Sequence, residues 1–299
     1  MKPKKLNLDF DVKDKTSDLY ARQKILSRIL EGVWTSKFKG QGMEFSEYRK
    51  YVYGDDATKI DWKASLKSGT TLIKEFEEDK NTDALFVFDV GDSMLFSTRQ
   101  DGKMKVEYAA ELIYFTANAI LQSGHAAGVY MFGEKLHVKF DPLAGISIKK
   151  RIKNKFLEPN NYGGKFNFIK AMKLLLGLRY QKLVIIIVSD FINLPNRWEH
   201  YIEILSQKYQ VMGIMIRDHR DRYLPSEGQI VLQDPSSNES IYVDATKYAK
   251  YYHKYVLEEE VEIEKKFNST NSELLKLETT QNPYEGIVKF FKRMLLGNK

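Results

Sequence analysis

The stretch Leu85-Phe86-Val87-Phe88-Asp89-Val90-Gly91-Asp92-Ser93 decides the fold that this sequence predicts. Four apolar residues in a row, bounded by charge on both sides, are typical of a strand buried on both faces of a parallel sheet. The run ends in a turn of carboxylates, glycine and serine. In open α/β sheets, ligands bind in the crevice outside the carboxyl ends of the strands. This turn is therefore a candidate metal or partner site.

The chain after this strand alternates between strand and helix patterns. Helical spacing of apolar residues covers 103–122, and the strongest strand run, residues 183–188, ends in Ser189-Asp190. A strand over 272–277 and an amphipathic helix over 283–296 complete the pattern. The alternation predicts an α/β fold with a doubly wound, mostly parallel sheet.

Residues 1–81 form an N-terminal segment, and 82–299 form the predicted sheet domain. We expect residues 16–36 to be a helix, and the later part of the segment to supply a β-hairpin packed on the sheet. Between Glu44 and Glu78 charged residues alternate with aromatic ones, which indicates an ion-pair network. A hydrolytic site on Asp55, Asp56 and Asp61 is the alternative, but no histidine lies nearby as an acid/base partner.

Composition excludes several classes of function. The 299 residues contain no cysteine, so disulfides, cysteine zinc sites, iron–sulfur clusters and thiol nucleophiles are absent. The net charge of +7 is spread along the chain without a dense basic block, which argues against a nucleic-acid partner. No signal peptide, membrane-spanning run, Walker loop or catalytic triad pattern is visible. We therefore expect a non-enzymatic, cytoplasmic protein.

A long ordered series of residues carries a family resemblance. The series is Gly40, Gly42, Glu44, Phe45, Arg49, Tyr51, Gly54, Asp55, Asp56, Ile60, Asp61, Trp62, Lys63, Ser65, Glu75, Glu77, Asp89, Ser93 and Met94. It resembles the bacterial domain-of-unknown-function family number fifty-eight. Gly163-Gly164, Ser189-Asp190-Phe191 and the terminal helix extend the similarity over nearly the whole chain.

The later part of the chain also resembles the von Willebrand factor type A fold. The metal-ion-dependent adhesion site of that fold uses an Asp-x-Ser-x-Ser turn, a distant Thr and a distant Asp. The resemblance implies Asp89, Ser93 and Asp190 as the remaining ligands for Mg or Mn. Gly91 replaces the first serine of the turn, and Lys165 stands where the family often has threonine.

These two replacements indicate a degenerate metal site. Magnesium takes about six oxygen ligands, and a lysine ammonium has no lone pair to offer a metal ion. One hypothesis places the Lys165 ammonium in the metal position, paired with Asp89 and Asp190. The other hypothesis leaves Lys165 pointing into solvent, beside a former metal site that holds no ion. Both predict a metal-free crevice of Asp89, Gly91, Ser93, Lys165 and Asp190 that binds a protein partner.

The resemblance also implies a partner, because members of this family commonly occur beside MoxR-type AAA+ ATPases. The implied role is that of an adaptor or co-chaperone for such an ATPase. The alternatives are a metal-dependent adhesion protein and a peripheral membrane-surface scaffold. Residues 284–299 mix apolar and basic side chains as interfacial helices do, although the same apolar face would also suit packing on the sheet.

Overall fold

A computed structural model of the chain describes residues 3, 5–10, 17–37, 43–78, 82–98, 102–225, 228–234 and 239–297. The described helices are α1 (Ser17–Lys37), α2 (Trp62–Ser68), α3 (Lys105–Gln122), α4 (Ile146–Phe156), α5 (Phe168–Leu176), α6 (Trp198–Lys208), α7 (His219–Arg222), α8 (Ala245–Ser269) and α9 (Pro283–Gly297). The described strands are β1 (Met43–Lys50), β2 (Leu72–Glu78), β3 (Asp83–Asp89), β4 (Ala126–Phe132), β5 (Leu136–Leu143), β6 (Leu183–Ser189), β7 (Gln210–Arg217), β8 (Gln229–Gln233), β9 (Ser240–Asp244) and β10 (Glu273–Glu278).

A six-stranded sheet forms the centre of the fold, with the strand order β10-β7-β6-β3-β4-β5. The strands from β10 to β4 run parallel, and β5 joins the edge antiparallel to β4. The chain leaves β3 towards β4 on one side and returns to β6 on the other. This is the doubly wound arrangement, and the predicted fold class is confirmed.

Strand β3 is central because its side chains are apolar on both faces. Phe86 and Phe88 enter one hydrophobic cluster with residues of α1, α3, α4 and α9. Leu85 and Val87 enter a second cluster with residues of α5 and α6. Successive side chains of a strand point to opposite faces, so one continuous apolar run serves both helical layers.

The helices α1 and α9 belong to the first of these layers. Both pack beside α3, and α1 buries Leu26, Leu30 and Trp34. Helix α9 buries Ile287, Phe290, Phe291 and Met294 in the same cluster. The apolar face of α9 is therefore not available to a membrane surface, because those side chains pack inside the protein. Among the described residues, no helix is both long and apolar enough to cross a bilayer.

A small antiparallel hairpin, β1–β2, carries α2 between its strands. Helix α2 begins after Asp61, whose carboxylate accepts a hydrogen bond from Ala64 N, and ends at Gly69 in the left-handed conformation (φ 71°). The buried Ile73 of β2 belongs to neither cluster of the large sheet. The division of the chain at residue 81 stays a prediction.

Candidate functional site

The crevice predicted from topology lies where the winding of the sheet changes direction. Strands β3 and β6 are neighbours and parallel, and the chain connects each of them to a helix on a different side. Their carboxyl ends bring Asp89 beside Ser189 and Asp190. In doubly wound sheets this switch point is the usual ligand site. The structure therefore joins two parts of the sequence that are a hundred residues apart.

The Asp89 carboxylate is almost fully buried and has a hydrogen bond to each of its oxygens. Gly91 N donates to Oδ1 at 2.8 Å, and the hydroxyl of Ser189 donates to Oδ2 at 2.6 Å. Burial, reinforced by the negative charge of Asp190, raises the pKa of Asp89 to about 8.

The turn after Asp89 is fixed by the loop at Gly163-Gly164. Asp92 N donates to Gly164 O at 2.9 Å, and Gly164 N donates back to Asp92 Oδ1 at 3.0 Å. A Cβ on Gly91 would lie 3.0 Å from Phe166 N and 3.1 Å from Gly164 O. Glycine at position 91 thus lets the two loops approach closely. Close packing of the two loops therefore accounts for glycine at this position, where an adhesion-type site has serine.

A buried lysine neutralises the second carboxylate of the crevice. Lys105 is the first residue of α3, and its Nζ atom lies 2.8 Å from Oδ2 of Asp190 and 2.8 Å from Oδ2 of Asp221. Burial alone would raise the pKa of Asp190, but Lys105, with help from the buried Arg217, outweighs it and lowers that pKa. Burial would likewise lower the pKa of Lys105, yet Asp190 and Asp221 raise it.

The hypothesis that Lys165 fills the metal position is wrong. The Lys165 side chain is exposed, while the ammonium that pairs with Asp190 comes from Lys105. The two glycines before Lys165 have positive φ values of 102° and 84°. The ammonium of the crevice belongs to Lys105, which pairs with Asp190 and Asp221.

The crevice as folded does not fit a divalent metal. Each oxygen of Asp89 and of Asp190 already accepts a hydrogen bond, the latter from Ile192 N and Lys105. Ser93, the remaining hydroxyl ligand of the predicted set, is half-buried in the turn. A magnesium site needs about six oxygens, and a neighbouring ammonium repels a cation. In the described part of the chain, no group of three or more acidic or histidine side chains is arranged to hold a metal ion.

Most of the described family-motif residues lie in the hairpin, while Asp89, Ser93 and Met94 lie at the end of β3 and on the turn after it. Arg49 forms a bidentate pair with Asp55 (3.0 and 3.1 Å), and Asp56 caps the short 3-10 turn Ala57–Lys59. Glycine 54 occupies the adjoining turn with φ 106°. Asp61 caps α2, which begins at Trp62 and Lys63. Gly40 and Gly42 lie outside the described residues, and Glu44 and Phe45 lie on β1.

These contacts argue against the hydrolytic reading of the three aspartates. The bond from Arg49 lowers the pKa of Asp55, and the Thr58 hydroxyl lowers that of Asp56. The amide of Ala64, with Lys74 and Tyr48, lowers the pKa of Asp61 to about 2. A general acid or base works best with a pKa near the operating pH. All three carboxylates instead accept hydrogen bonds that hold the hairpin together.

Comparison with known families identifies the chain. The family described as "Protein of unknown function DUF58" matches residues 47–262, well over half of the 299 residues. The chain belongs to the DUF58 family. The matched range begins within β1 and ends within α8, so it contains the crevice and the motif residues from Arg49 onward, while Gly40, Gly42, Glu44 and Phe45 precede it.

Relatives of this DUF58 chain include an uncharacterized protein of Mycobacterium tuberculosis. It is 24% identical over 227 residues, which cover 75% of this chain and 70% of the relative. An uncharacterized protein of Mycobacterium bovis matches to the same extent. Neither description names an activity.

Solved structures similar to this chain include a von Willebrand factor type A domain. An aerotolerance-related membrane protein from Bacteroides fragilis has a TM-score of 0.48 and 15% identity, and covers 72% of this chain and 99% of its own. The SpRpn10 VWA domain has a TM-score of 0.38 and 12% identity, and covers 70% and 94%. Both TM-scores are below 0.5, so the strand order described above, and not these likenesses, establishes the fold.

Proposed function

We propose that this DUF58 chain is a non-enzymatic, cytoplasmic protein-interaction module that serves a MoxR-type AAA+ ATPase as an adaptor or co-chaperone. The partner is expected to contact the crevice at the carboxyl ends of β3 and β6. The identity of the ATPase rests on the family resemblance. The metal-free character of the crevice rests on its geometry.

The observation that carries the proposal is the ammonium of Lys105 between Asp190 and Asp221. A side chain of the protein itself supplies the positive charge beside Asp190. Because Asp190 and Lys105 are both nearly inaccessible, their charges are not offered to a ligand. A partner must therefore use the rim.

The rim of the crevice offers side chains suited to protein contact. Phe96 follows the Asp89 turn, Lys165 follows the glycine loop, and Asn193 follows β6; all three are exposed. Asn193 and Phe191 adopt positive φ values of 56° and 52°. Positive φ is uncommon for residues other than glycine and tends to occur at functional loops.

The test is reconstitution of the full chain with a MoxR-type ATPase encoded in the same genome. We expect the two proteins to co-elute from a size-exclusion column in ATP, and the complex to persist in EDTA. The double variant Phe96→Ala/Lys165→Ala should weaken the complex about tenfold or more, as loss of an interface anchor does.

A matched control removes an equal charge away from the rim. Lys173→Ala, on the exposed side of α5, should leave the complex unchanged. Absence of co-elution in ATP, in ADP and without nucleotide would contradict the ATPase partner. Loss of the complex in EDTA with restoration by magnesium would contradict a metal-free crevice, provided that the ATPase alone keeps its assembly under the same conditions.

A further inference from the structure

We propose that one face of α2 is a second docking surface, which takes an acidic protein segment that also carries apolar side chains. This surface, the α2 face, consists of Trp62, Lys63, Leu66 and Lys67. It is distinct from the crevice and goes beyond the function proposed above. The inference rests on exposure, rigidity and charge within the hairpin.

The α2 face exposes two large apolar side chains to solvent. Trp62 is 66% exposed and Leu66 is 86% exposed. They are four residues apart, so they lie next to each other on the helix surface. Tyr53, in the turn before the helix, is 99% exposed. Single exposed apolar residues are ordinary, but a Trp–Leu pair resembles the aromatic anchors that dominate protein interfaces.

Hydrogen bonds of the hairpin hold this face in one orientation. The Asp61 carboxylate accepts from Ala64 N at 3.0 Å and from Tyr48 OH at 3.0 Å, and it pairs with Lys74 at 3.1 Å. The Ser65 hydroxyl accepts from Leu72 N at 2.8 Å and donates to Asp61 O at 2.7 Å. Helix α2 is thereby tied to both hairpin strands. A fixed aromatic anchor loses less conformational entropy on binding than a mobile one.

The exposed charges of α2 are all positive. Residues 62–74 contain Lys63, Lys67 and Lys74 and no acidic residue. The three aspartates before the helix are occupied: Asp55 by Arg49, Asp56 by Thr58 and Asp61 by Lys74 and the helix cap. Lys63 and Lys67 remain exposed beside Trp62 and Leu66. Electrostatic complementarity then calls for an acidic occupant.

An acidic polypeptide fits this face better than a membrane or a nucleic acid does. Helix α2 has only seven residues, and its apolar face is limited to Trp62 and Leu66. Interfacial helices bind membranes through a large apolar face. Single-stranded nucleic acid requires several aromatic platforms along a basic groove. One anchored Trp–Leu pair flanked on one side by two lysines matches a short amphipathic peptide.

The experiment is peptide display on the full-length chain. A random peptide library is selected on immobilised wild-type protein and depleted on the Trp62→Ala/Leu66→Ala variant. We expect the surviving peptides to combine Asp or Glu with Leu, Phe or Trp. Synthesised peptides should bind the variant Lys63→Glu/Lys67→Glu about tenfold more weakly or worse than wild type.

A matched control comes from an exposed aromatic–lysine surface elsewhere on the protein. The variant Lys250→Glu/Tyr251→Ala, on the exposed side of α8, should bind the same peptides as wild type does. The proposal is overturned if no peptide survives depletion, if the survivors are basic or neutral, or if the α8 variant loses binding equally. It is also overturned if phosphatidylserine vesicles or a single-stranded oligonucleotide bind the chain in a Trp62-dependent manner. Unchanged thermal unfolding of each variant confirms that the fold is retained.

Discussion

The Nζ atom of Lys105 lies 2.8 Å from Oδ2 of Asp190, and both side chains are 1% exposed. The pair joins the first residue of α3 to the end of β6 across the crevice, and Asp221 accepts a second hydrogen bond from the same ammonium. A cation that is part of the chain cannot be removed by a chelator. The crevice therefore keeps its charge balance without an exchangeable ion.

Replacing Lys105 by methionine should destabilise the fold strongly. The substitution leaves Asp190 buried without its cation, and breaking one partner of a buried pair costs about 3–5 kcal/mol. The free energy of unfolding from urea titration should fall by that amount. Lys105→Met/Asp190→Asn removes both charges and should recover part of the loss. If the single variant were as stable as wild type, the ammonium would not balance Asp190 in solution.

Asp89 should make stability decline as the pH rises. Its ordinary pKa is 3.8, and burial with the charge of Asp190 raises it to about 8 in the folded chain. Between these values the native state binds a proton that the unfolded state releases, so folding loses up to about 1.4 kcal/mol per pH unit from this group. The stability is fully present below the unfolded pKa and is lost as pH rises through the folded one.

Asp89→Asn isolates this effect because asparagine has the same shape and does not titrate. Urea unfolding between about pH 5 and pH 8 should show a shallower decline for the variant than for wild type. The lowered pKa of Asp190 acts oppositely, and only at acid pH, below the unfolded value. Parallel pH profiles for the two proteins would mean that Asp89 is ionised in the native state.

The sequence predicted the fold well because the fold depends on patterns that are local. The continuous apolar runs at β3 and β6 indicate burial on both faces, and strand–helix alternation indicates a doubly wound, mostly parallel sheet. The crevice was also predictable, since it lies at the carboxyl ends of those runs. The apolar face predicted for residues 284–299 suits packing on the sheet, and in the structure it lies in the core cluster.

The cation of the crevice could not be predicted from the resemblance. The resemblance indicates Lys165 because it follows Gly163-Gly164, but its side chain is exposed in the structure. A signal for Lys105 did exist in the sequence. Lys105, Ala109 and Leu112 fall at helical spacing on one stripe, so a lysine opens an otherwise apolar face. A buried lysine needs a carboxylate, and only the fold brings Asp190 and Asp221 to it.

Restoring the missing hydroxyls should not restore metal binding. The variant Gly91→Ser/Lys165→Thr supplies the serine and threonine of an adhesion-type site while Lys105 remains in place. Calorimetric titration with magnesium and with manganese should give no saturable heat, for this variant and for wild type. Saturable binding that disappears in Asp89→Ala would show that the ammonium moves aside for a cation.

The same glycine should also resist substitution on steric grounds. A Cβ at position 91 would approach Asp89 Oδ1 and Phe166 N to 3.0 Å. Overpacking of this kind costs about 1–3 kcal/mol. Gly91→Ala should therefore lower the free energy of unfolding by that amount, whereas Gly297→Ala, which meets no neighbour, should leave it unchanged.

Removing the cap of α2 should loosen the hairpin without unfolding the sheet. Asp61→Ala deletes the acceptor for Ala64 N, Tyr48 and Lys74 at once. Hydrogen exchange read by mass spectrometry should show faster exchange over residues 61–74 and unchanged protection in β3 and β6. Asp61→Asn keeps an acceptor for the helix cap and should show a smaller effect. Equal acceleration across the central sheet would mean that the hairpin and the sheet unfold together.

The packing of α9 predicts behaviour opposite to that of a membrane-bound helix. Phe291 is buried in the cluster that also contains α1 and α3, and truncation of a buried phenylalanine costs about 3–5 kcal/mol. Phe291→Ala should lower the urea midpoint accordingly, while Leu296→Ala, at an exposed position of the same helix, should change stability by less than about 0.5 kcal/mol. In liposome flotation, wild type should stay at the bottom of the gradient with phosphatidylserine vesicles. Co-flotation abolished by Phe291→Ala would instead place the apolar face of α9 in the lipid and overturn its assignment to the core.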